Sequence, residues 1–440
     1  MVIWPWIAGF LLLGYLTMGR SFAYLGIPPI FIGEIVLAAF LLLKPRVALG
    51  TWAASLLRPS PLNGLGLALL AFMAYGLWQV GRGILGGSPV VHTLKFFTFN
   101  YYALYLFMGI WIGLHVPDFL PKLIRIIAWV NGIYGLIYIV ALRDVAAYIP
   151  GTDVPLFSAP VAQVVVILGL LCFERDLRAV WFVLLLNVVV TLVWQVRAEW
   201  AGLALGILAW GFLAGRFGRV VAIGMAGLAV LGMVELADIR LVGRNTEVSL
   251  SETLGRAIAP IDKDLAKQFS PHATYHAGTA EWREIWWDAI WRSVHSRPMT
   301  EAFGHGYGFP LITVAPKDAQ KNNEDDRTPH SVFYYALGYT GWVGVALYGA
   351  LQLAIVGLLW RSYRLGGTPA GLVFWVMAMV RVSFEEGFET PFKAIPFYLL
   401  WGMTMAAGLQ WRGELDARLS RARPMPTPGE WTAASARRAG

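Results

Sequence analysis

The chain has 440 residues, of which 57% are hydrophobic and only 14% are charged, and its mean hydropathy is +0.59. Soluble proteins carry about 25% charged residues, so this composition excludes a large soluble core and indicates an all-α polytopic membrane protein. The net charge of +8 does not call for nucleic acid as a partner. Six of the arginines lie in a Pro- and Ala-rich C-terminal tail, and a basic tail beside a bilayer contacts anionic membrane lipids.

Twelve apolar stretches are candidate transmembrane helices, since a span needs roughly 20 residues and fewer where the flanking residues snorkel. They lie near residues 3–18, 28–43, 62–79, 97–115, 123–142, 160–173, 179–195, 200–214, 220–236, 331–360, 370–381 and 395–411. The sequence therefore predicts about twelve spans. Nine lie within 1–236 and three within 330–411, followed by a basic, disordered cytoplasmic tail over 412–440.

The distribution of Lys and Arg favours one orientation of these helices. With the N-terminus in the cytoplasm, connections such as 44–61, 174–178 and 361–369 lie inside and carry more Lys and Arg than the short outer loops, as the positive-inside rule requires. This orientation predicts a bacterial inner-membrane protein with both termini in the cytoplasm. The connection 237–329 then forms a periplasmic loop, nearly neutral with eleven Lys/Arg and thirteen Asp/Glu. Loops of this length are usually functional, so we expect the chemistry there.

An amphipathic helix is predicted over residues 279–297 of this loop. One stripe of the helix consists of Trp282, Ile285, Trp286 and Ile290. Thr279 is a candidate N-cap, and Pro298 marks the end. Such a helix lies at the lipid headgroups or packs on the membrane domain, and both arrangements hold Arg283 near the depth of a lipid phosphate.

Two further motifs of the loop are weaker signals. The stretch "FGHGYGFP", residues 303–310, includes Gly304 and Gly306, which permit a tight turn or a close approach of backbone to ligand. His272 and His276 have the i, i+4 spacing of metal ligands on a helix, but no third ligand stands at a useful distance. The sequence therefore predicts neither a metal nor a cofactor.

Ionisable residues at the ends of apolar spans are functional candidates. Arg197 lies between the seventh and eighth spans. Arg381 lies at the end of the eleventh span and is followed by Glu385, and His330 stands where the tenth span begins. All of them share the outer side with Arg283 in the predicted topology. Each arginine could instead snorkel to the interface, and His330 could simply cap its helix.

Three motifs in this order resemble the O-antigen ligase and polymerase superfamily. They are "VRAEWAGL", "WREIWWDAIWRSVHSRPMTEAFGHGYGFP" and "PHSVFYYALGYTGWVGVALYGAL", and together they lie within residues 190–360. In that superfamily a His, commonly followed by Asn, opens the span after the large loop. Here Ser331 stands where the Asn usually is.

The resemblance implies a fold of roughly twelve helices and transfer of a glycan from undecaprenyl pyrophosphate without a metal or a nucleotide sugar. It further implies that Arg197 and Arg283 are the outer-side arginines of the family and that His330 is its catalytic histidine. The remaining candidates, with supporting roles, are Arg381, Glu385, Trp282, Gly304 and Gly306.

These residue types suit the implied reaction. Arginine stays charged and binds phosphate oxygens with two parallel hydrogen bonds, so Arg197 and Arg283 could neutralise a pyrophosphate leaving group. A neutral imidazole can take the proton of an attacking sugar hydroxyl, which makes His330 a general base for an inverting transfer. The lipid A-core acceptor of a ligase is slightly favoured over the growing glycan of a polymerase, because no second large outer domain is present. A secondary transporter is the competing class, but its longest loop usually lies inside.

The predicted topology can be tested with alkaline phosphatase, which is active only outside the cytoplasm. A fusion near residue 320 should be active and a fusion near residue 215 should not, because the Lys/Arg distribution places them on opposite sides. The reverse pattern of activity would place the long loop in the cytoplasm and overturn the assignment of the site.

Overall fold

The computed structural model describes residues 3–45, 62–160, 162–236, 241–242, 247–259, 262–270, 273–316 and 328–421. Helix dominates these residues. The helices up to the long connection are α1 (Ile3–Met18), α2 (Arg20–Ala23), α3 (Ile32–Leu43), α4 (Asn63–Leu85), α5 (Val90–Phe96), α6 (Thr98–Tyr101), α7 (Tyr105–His115), α8 (Phe119–Ile137), α9 (Gln163–Phe173), α10 (Trp181–Trp194), α11 (Arg197–Leu213) and α12 (Phe217–Leu236). The later ones are α13 (Leu250–Ile258), α14 (Lys263–Phe269), α15 (Ala273–Val294), α16 (Pro298–Phe303), α17 (Val332–Arg364), α18 (Ala370–Phe384) and α19 (Pro391–Arg421).

Short irregular helices and two small hairpins complete the described elements. The 3-10 helices are Tyr102–Leu104, Leu177–Ala179 and Leu311–Val314, and a π-helical turn, Tyr138–Leu142, extends α8. The antiparallel hairpins pair β1 (Gly26–Ile27) with β2 (Ile30–Phe31) and β3 (Leu241–Val242) with β4 (Glu247–Val248).

Each of the twelve predicted spans contains helix, although the span at 28–43 begins in the β1–β2 hairpin and the span at 160–173 becomes helical only at Gln163. Four of these helical stretches are long and apolar enough to cross a membrane by themselves: Asn63–Leu85, Val90–His115, Phe119–Leu142 and Val332–Arg364. Five shorter apolar helices stand beside them: α1, α3, α9, α10 and α18. The polytopic helical class is therefore confirmed, and the number of twelve spans stays a prediction.

Helices α7 and α19 cross with their backbones almost touching. A Cβ atom added to Gly109 would lie 2.4 Å from the carbonyl oxygen of Leu399, and one added to Gly402 would lie 2.3 Å from that of Leu106. Close backbone approach through small residues is how helices pack within a membrane, where burial of apolar surface supplies little driving force. This contact places α19 at the centre of the helical domain.

Helix α15 differs in detail from the predicted amphipathic helix. It begins at Ala273, so Thr279 lies inside it and is not its N-cap, and Pro298 starts the next helix, α16. Ile285 was expected in the apolar stripe, but its side chain is 45% exposed. Trp286 is fully buried, and its Nε1 donates a hydrogen bond to the carbonyl oxygen of Leu311 at 3.2 Å.

The buried side of α15 packs on the helical domain, as the second of the two predicted arrangements requires. Ile290 and Val294 join Trp286 in the main hydrophobic core. A substitution of Trp286 would therefore disturb the core and not only a lipid contact.

The glycine-rich loop closes a break in α17. Gly341 has non-helical torsions (φ 63°, ψ −169°), so the preceding turn loses helical hydrogen bonds. The backbone N–H groups of His305 and Gly306 donate to the carbonyl oxygens of Gly338 and Tyr339, both at 2.9 Å. A Cβ at Gly304 would lie 2.4 Å from the Tyr339 carbonyl carbon, which explains the glycine there.

The C-terminal helix is longer than expected. Helix α19 continues to Arg421, which is inside the segment 412–440 for which the sequence indicates disorder. Residues 422–440 lie outside the described part of the chain.

Replacement of Gly402 by Leu should destabilise the fold, because the new side chain would meet the α7 backbone. Overpacking of this kind costs about 1–3 kcal/mol, and we expect a lower yield of folded protein and a lower melting temperature in detergent. Gly357→Leu in α17 is the matched control, since no atom lies within 4 Å of a Cβ at that position. Equal stability of the two variants would contradict the close crossing.

Candidate active site

Two arginines from distant parts of the chain come together at one end of the helical domain. Arg197 is the first residue of α11, and Arg283 lies in α15. Their guanidinium groups are close enough to repel each other. Arg283 is also anchored, since its Nη1 donates a hydrogen bond to the carbonyl oxygen of Phe384, the last residue of α18, at 2.9 Å. The pair is a partly buried, doubly positive site suited to a multiply charged anion.

Arg381 does not share the situation of these two arginines. Its side chain is 3% exposed, and its Nη2 forms an ion pair with Glu199 Oε1 and lies 3.7 Å from Glu385 Oε2. The sequence predicts Arg381 as a supporting residue of the phosphate site. In the structure it is buried between two carboxylates.

The connection between α18 and α19 carries two carboxylates with opposite pKa shifts. Burial by itself would raise the pKa of Glu385, but Lys393 and Arg381 outweigh that effect and lower the pKa to about 2. The Lys393 Nζ donates to Glu385 Oε2 at 2.6 Å. Burial raises the pKa of Glu389 to about 7, although its Oε1 accepts a hydrogen bond from the N–H of Gly387 at 2.8 Å. Glu385 is therefore ionised at neutral pH, whereas Glu389 titrates near it.

His330 has a strained backbone just before α17. Its φ is +53°, a left-handed conformation that is uncommon for residues other than glycine and costs of order 1–3 kcal/mol. The N-cap of α17 is Ser331, so the alternative that His330 caps this helix is wrong. The segment is held from outside: Trp287 Nε1 donates to the carbonyl oxygen of Pro329 at 2.7 Å.

Contacts of the residues around His330 show which elements border the start of α17. Trp287 lies one helical turn after Arg283, so both side chains leave the same face of α15. On the other side, a Cβ at Gly387 would lie 3.0 Å from the Cβ of Val332. Two elements therefore border the start of α17. One is α15, which carries Arg283, and the other is the connection after Phe384, whose carbonyl oxygen accepts the hydrogen bond from Arg283.

The helix directions at this end of the domain favour anions. Helices α11, α17 and α19 all begin here, and α18 ends here. A helix N-terminus carries a partial positive charge of about half a unit and a C-terminus an equal negative one, so the three N-termini outweigh the C-termini of α10 and α18 by about half a unit. The site is accordingly electropositive through its backbone as well as its side chains.

Three of the predicted supporting residues belong to the packing of the protein and not to this cluster. Trp282 packs against the main core and against the ring of Trp286, at 5.2 Å. Gly304 and Gly306 bind the backbone of α17 at its break. Their signals in the sequence, an aromatic at helical spacing and a repeated glycine, are equally typical of packing.

Sequence reasoning missed three residues that shape the site. Glu199 stands two residues after Arg197 inside the quoted "VRAEWAGL" motif, and its acidity beside an apolar span was a signal. Lys393 and Trp287 gave no comparable signal, because their partners Glu385 and Pro329 are recognised only once the chain has folded. Among the described residues no three His, Cys, Asp or Glu side chains group as metal ligands, and His272 lies outside them.

The described residues define a helical protein with candidate membrane spans, in which two arginines from distant parts of the chain lie near each other. Residues 163–349 match the model of the O-antigen ligase family, and this stretch contains Arg197, Arg283 and His330. This match supports the O-antigen ligase superfamily, as the motifs predict, and a membrane enzyme of the O-antigen ligase/polymerase type. No curated protein matches the chain.

Proposed function

We propose that this protein transfers a glycan from undecaprenyl pyrophosphate to a sugar hydroxyl, as an O-antigen ligase with a lipid A-core acceptor. The reaction would take place on the periplasmic side of the bacterial inner membrane, with both chain termini in the cytoplasm. The observation that carries the proposal is the proximity of Arg197 and Arg283, which lie together with His330 within the stretch that matches the family.

The arginine pair supports binding of the pyrophosphate. Two guanidinium groups held within repulsive distance raise the free energy of the empty site, and a dianion between them relieves that repulsion. Each arginine can offer two parallel N–H donors to phosphate oxygens. Charge that develops on the leaving pyrophosphate would then be stabilised by groups already in place, which is the most effective form of electrostatic catalysis.

His330 would act as the general base. The acceptor oxygen attacks the anomeric carbon, the bond from that carbon to the phosphate oxygen breaks, and the pyrophosphate leaves with the electron pair. The hydroxyl proton passes to the imidazole of His330. A single direct displacement inverts the anomeric centre, so an α-linked donor would give a β-linked product.

Transfer by the purified protein in liposomes tests this function. Radiolabelled glycan on undecaprenyl pyrophosphate should move to lipid A-core when core is present. Growth of the lipid-linked glycan without any transfer to core would favour a polymerase. If the label moves to neither acceptor, the proposed transfer from undecaprenyl pyrophosphate is wrong.

Conservative replacement of the two arginines should slow transfer. Arg197→Lys and Arg283→Lys each keep a positive charge but lose the planar fork of donors. A charged hydrogen bond contributes about 1.5–3 kcal/mol, so we expect transfer at low donor concentration to fall roughly 10–150-fold in each variant. Arg219→Lys, an exposed position beyond the far end of α11, serves as the control. Full activity in both site variants would show that the arginines only snorkel.

The backbone of His330 decides which substitution tests its chemistry. Ala at φ +53° adds strain of about 1–2 kcal/mol, whereas Asn tolerates this conformation and cannot act as a base at neutral pH. We therefore expect His330→Asn to fold and to bind undecaprenyl pyrophosphate normally, while its turnover falls about 10²–10⁴-fold.

The pH profile provides a second test of the base. The wild-type rate should fall on the acid side, because a protonated imidazole cannot accept the hydroxyl proton; a free imidazole titrates at about pH 6.5. Turnover per folded molecule near the wild-type value in His330→Asn would end the assignment.

A further inference from the structure

We propose that Arg381 is a positioning residue that sets the two donor-binding arginines at a fixed separation, through Glu199 on one side and Glu385 on the other. This inference rests on the proposed function, because it takes Arg197 and Arg283 as the ligands of the pyrophosphate. Arg381 itself is 3% exposed and cannot reach a substrate without leaving both carboxylates.

The first connection runs through Glu199 to Arg197. Glu199 is 4% exposed and lies in the first turn of α11, two residues after Arg197. Its ion pair with Arg381 therefore fixes the start of α11 against α18. Gly202 permits this approach, since a Cβ there would lie 3.1 Å from Arg381 Cγ. Loss of the ion pair would leave a buried charge without its counterion and shift the first turn of α11.

The second connection runs through Glu385 to Arg283. Glu385 directly follows Phe384, whose carbonyl oxygen accepts the hydrogen bond from Arg283. Arg381 lies 3.7 Å from Glu385 Oε2, and Lys393 holds the same oxygen at 2.6 Å. A shift of Glu385 would move the carbonyl group beside it and therefore the guanidinium of Arg283.

The ion pairs of this buried group join the elements that carry the two arginines. Two cations, Arg381 and Lys393, face two carboxylates, Glu199 and Glu385. The group holds the site in place, and Glu385 also interacts electrostatically with Arg283. Its expected contribution lies in geometry, and a misplacement of about 1 Å can reduce a rate by about 10²-fold.

Double-mutant cycles assign each carboxylate to one arginine. Glu199→Gln and Glu385→Gln are made in the wild type, in Arg197→Ala and in Arg283→Ala, and the affinity for undecaprenyl pyrophosphate in detergent micelles is measured for each protein. Each carboxylate variant should weaken binding about 10–100-fold in the wild type.

Non-additive effects on this affinity distinguish a positioning role from a general structural role. Glu385→Gln should change the affinity less than about twofold in the Arg283→Ala background, and it should keep most of its effect in the Arg197→Ala background. Glu199→Gln should lose its effect in Arg197→Ala and keep it in Arg283→Ala. Equal effects of Glu385→Gln in all three backgrounds would mean a general structural role and overturn the inference. If Arg197→Ala and Arg283→Ala leave binding unchanged, it is the proposed donor site that fails.

A matched control separates loss of positioning from loss of stability. Glu174 is another buried carboxylate paired with an arginine, Arg125, and it lies at the opposite end of α10 from Arg197. Glu174→Gln should lower the melting temperature to a similar extent and leave the affinity for undecaprenyl pyrophosphate unchanged. Weakened binding in Glu174→Gln would show that any buried ion pair has the same effect, which contradicts a specific role of Arg381.

Discussion

The ion pairs of Arg381 are the constraint on which the arrangement of the site depends. A guanidinium that is 3% exposed is tolerated only with carboxylates in contact, so Glu199 in α11 and Glu385 after α18 must both come to it. Because each carboxylate adjoins an element that holds a second arginine, one buried charge fixes the separation of Arg197 and Arg283. Two like charges stay close only if the surrounding structure is rigid enough to resist their repulsion.

Because the chain is so apolar, the clustering of charged residues around Arg381 is informative. Only 14% of the residues are charged, and ionisable groups near membrane spans are costly, so they persist where they pair or act. Four cations collect where three helices begin, together with carboxylates that include Glu199, Glu385 and Glu389. The two arginines of the pair carry two positive charges, equal in magnitude to the two negative charges of a pyrophosphate diester, the ligand proposed for them.

Much of the fold and part of the site could be predicted from the sequence. Apolar runs of span length become helices whatever their neighbours are, because an unbonded backbone is too costly in lipid. Arg197 was predicted because charged residues at such boundaries are rare, and Arg283 because the amphipathic helix of the long loop holds it near the depth of a lipid phosphate. The pairing of Glu199 with Arg381 was not, since it joins residues far apart in sequence and leaves no periodic pattern. The left-handed backbone of His330 has no sequence signal of its own either.

The break in α17 explains how a long apolar helix can present a histidine. Its 33 residues would extend about 50 Å as one straight helix, well beyond the roughly 30 Å of a hydrocarbon core. Gly341 divides it, and the freed carbonyl oxygens of Gly338 and Tyr339 are bonded by the glycine-rich loop. The segment before the break can then pack along α15 and need not follow the axis of the span. Trp287 of α15 holds this segment through its hydrogen bond to Pro329. The glycines therefore serve the site indirectly, because they allow α15, which carries Arg283, to position His330.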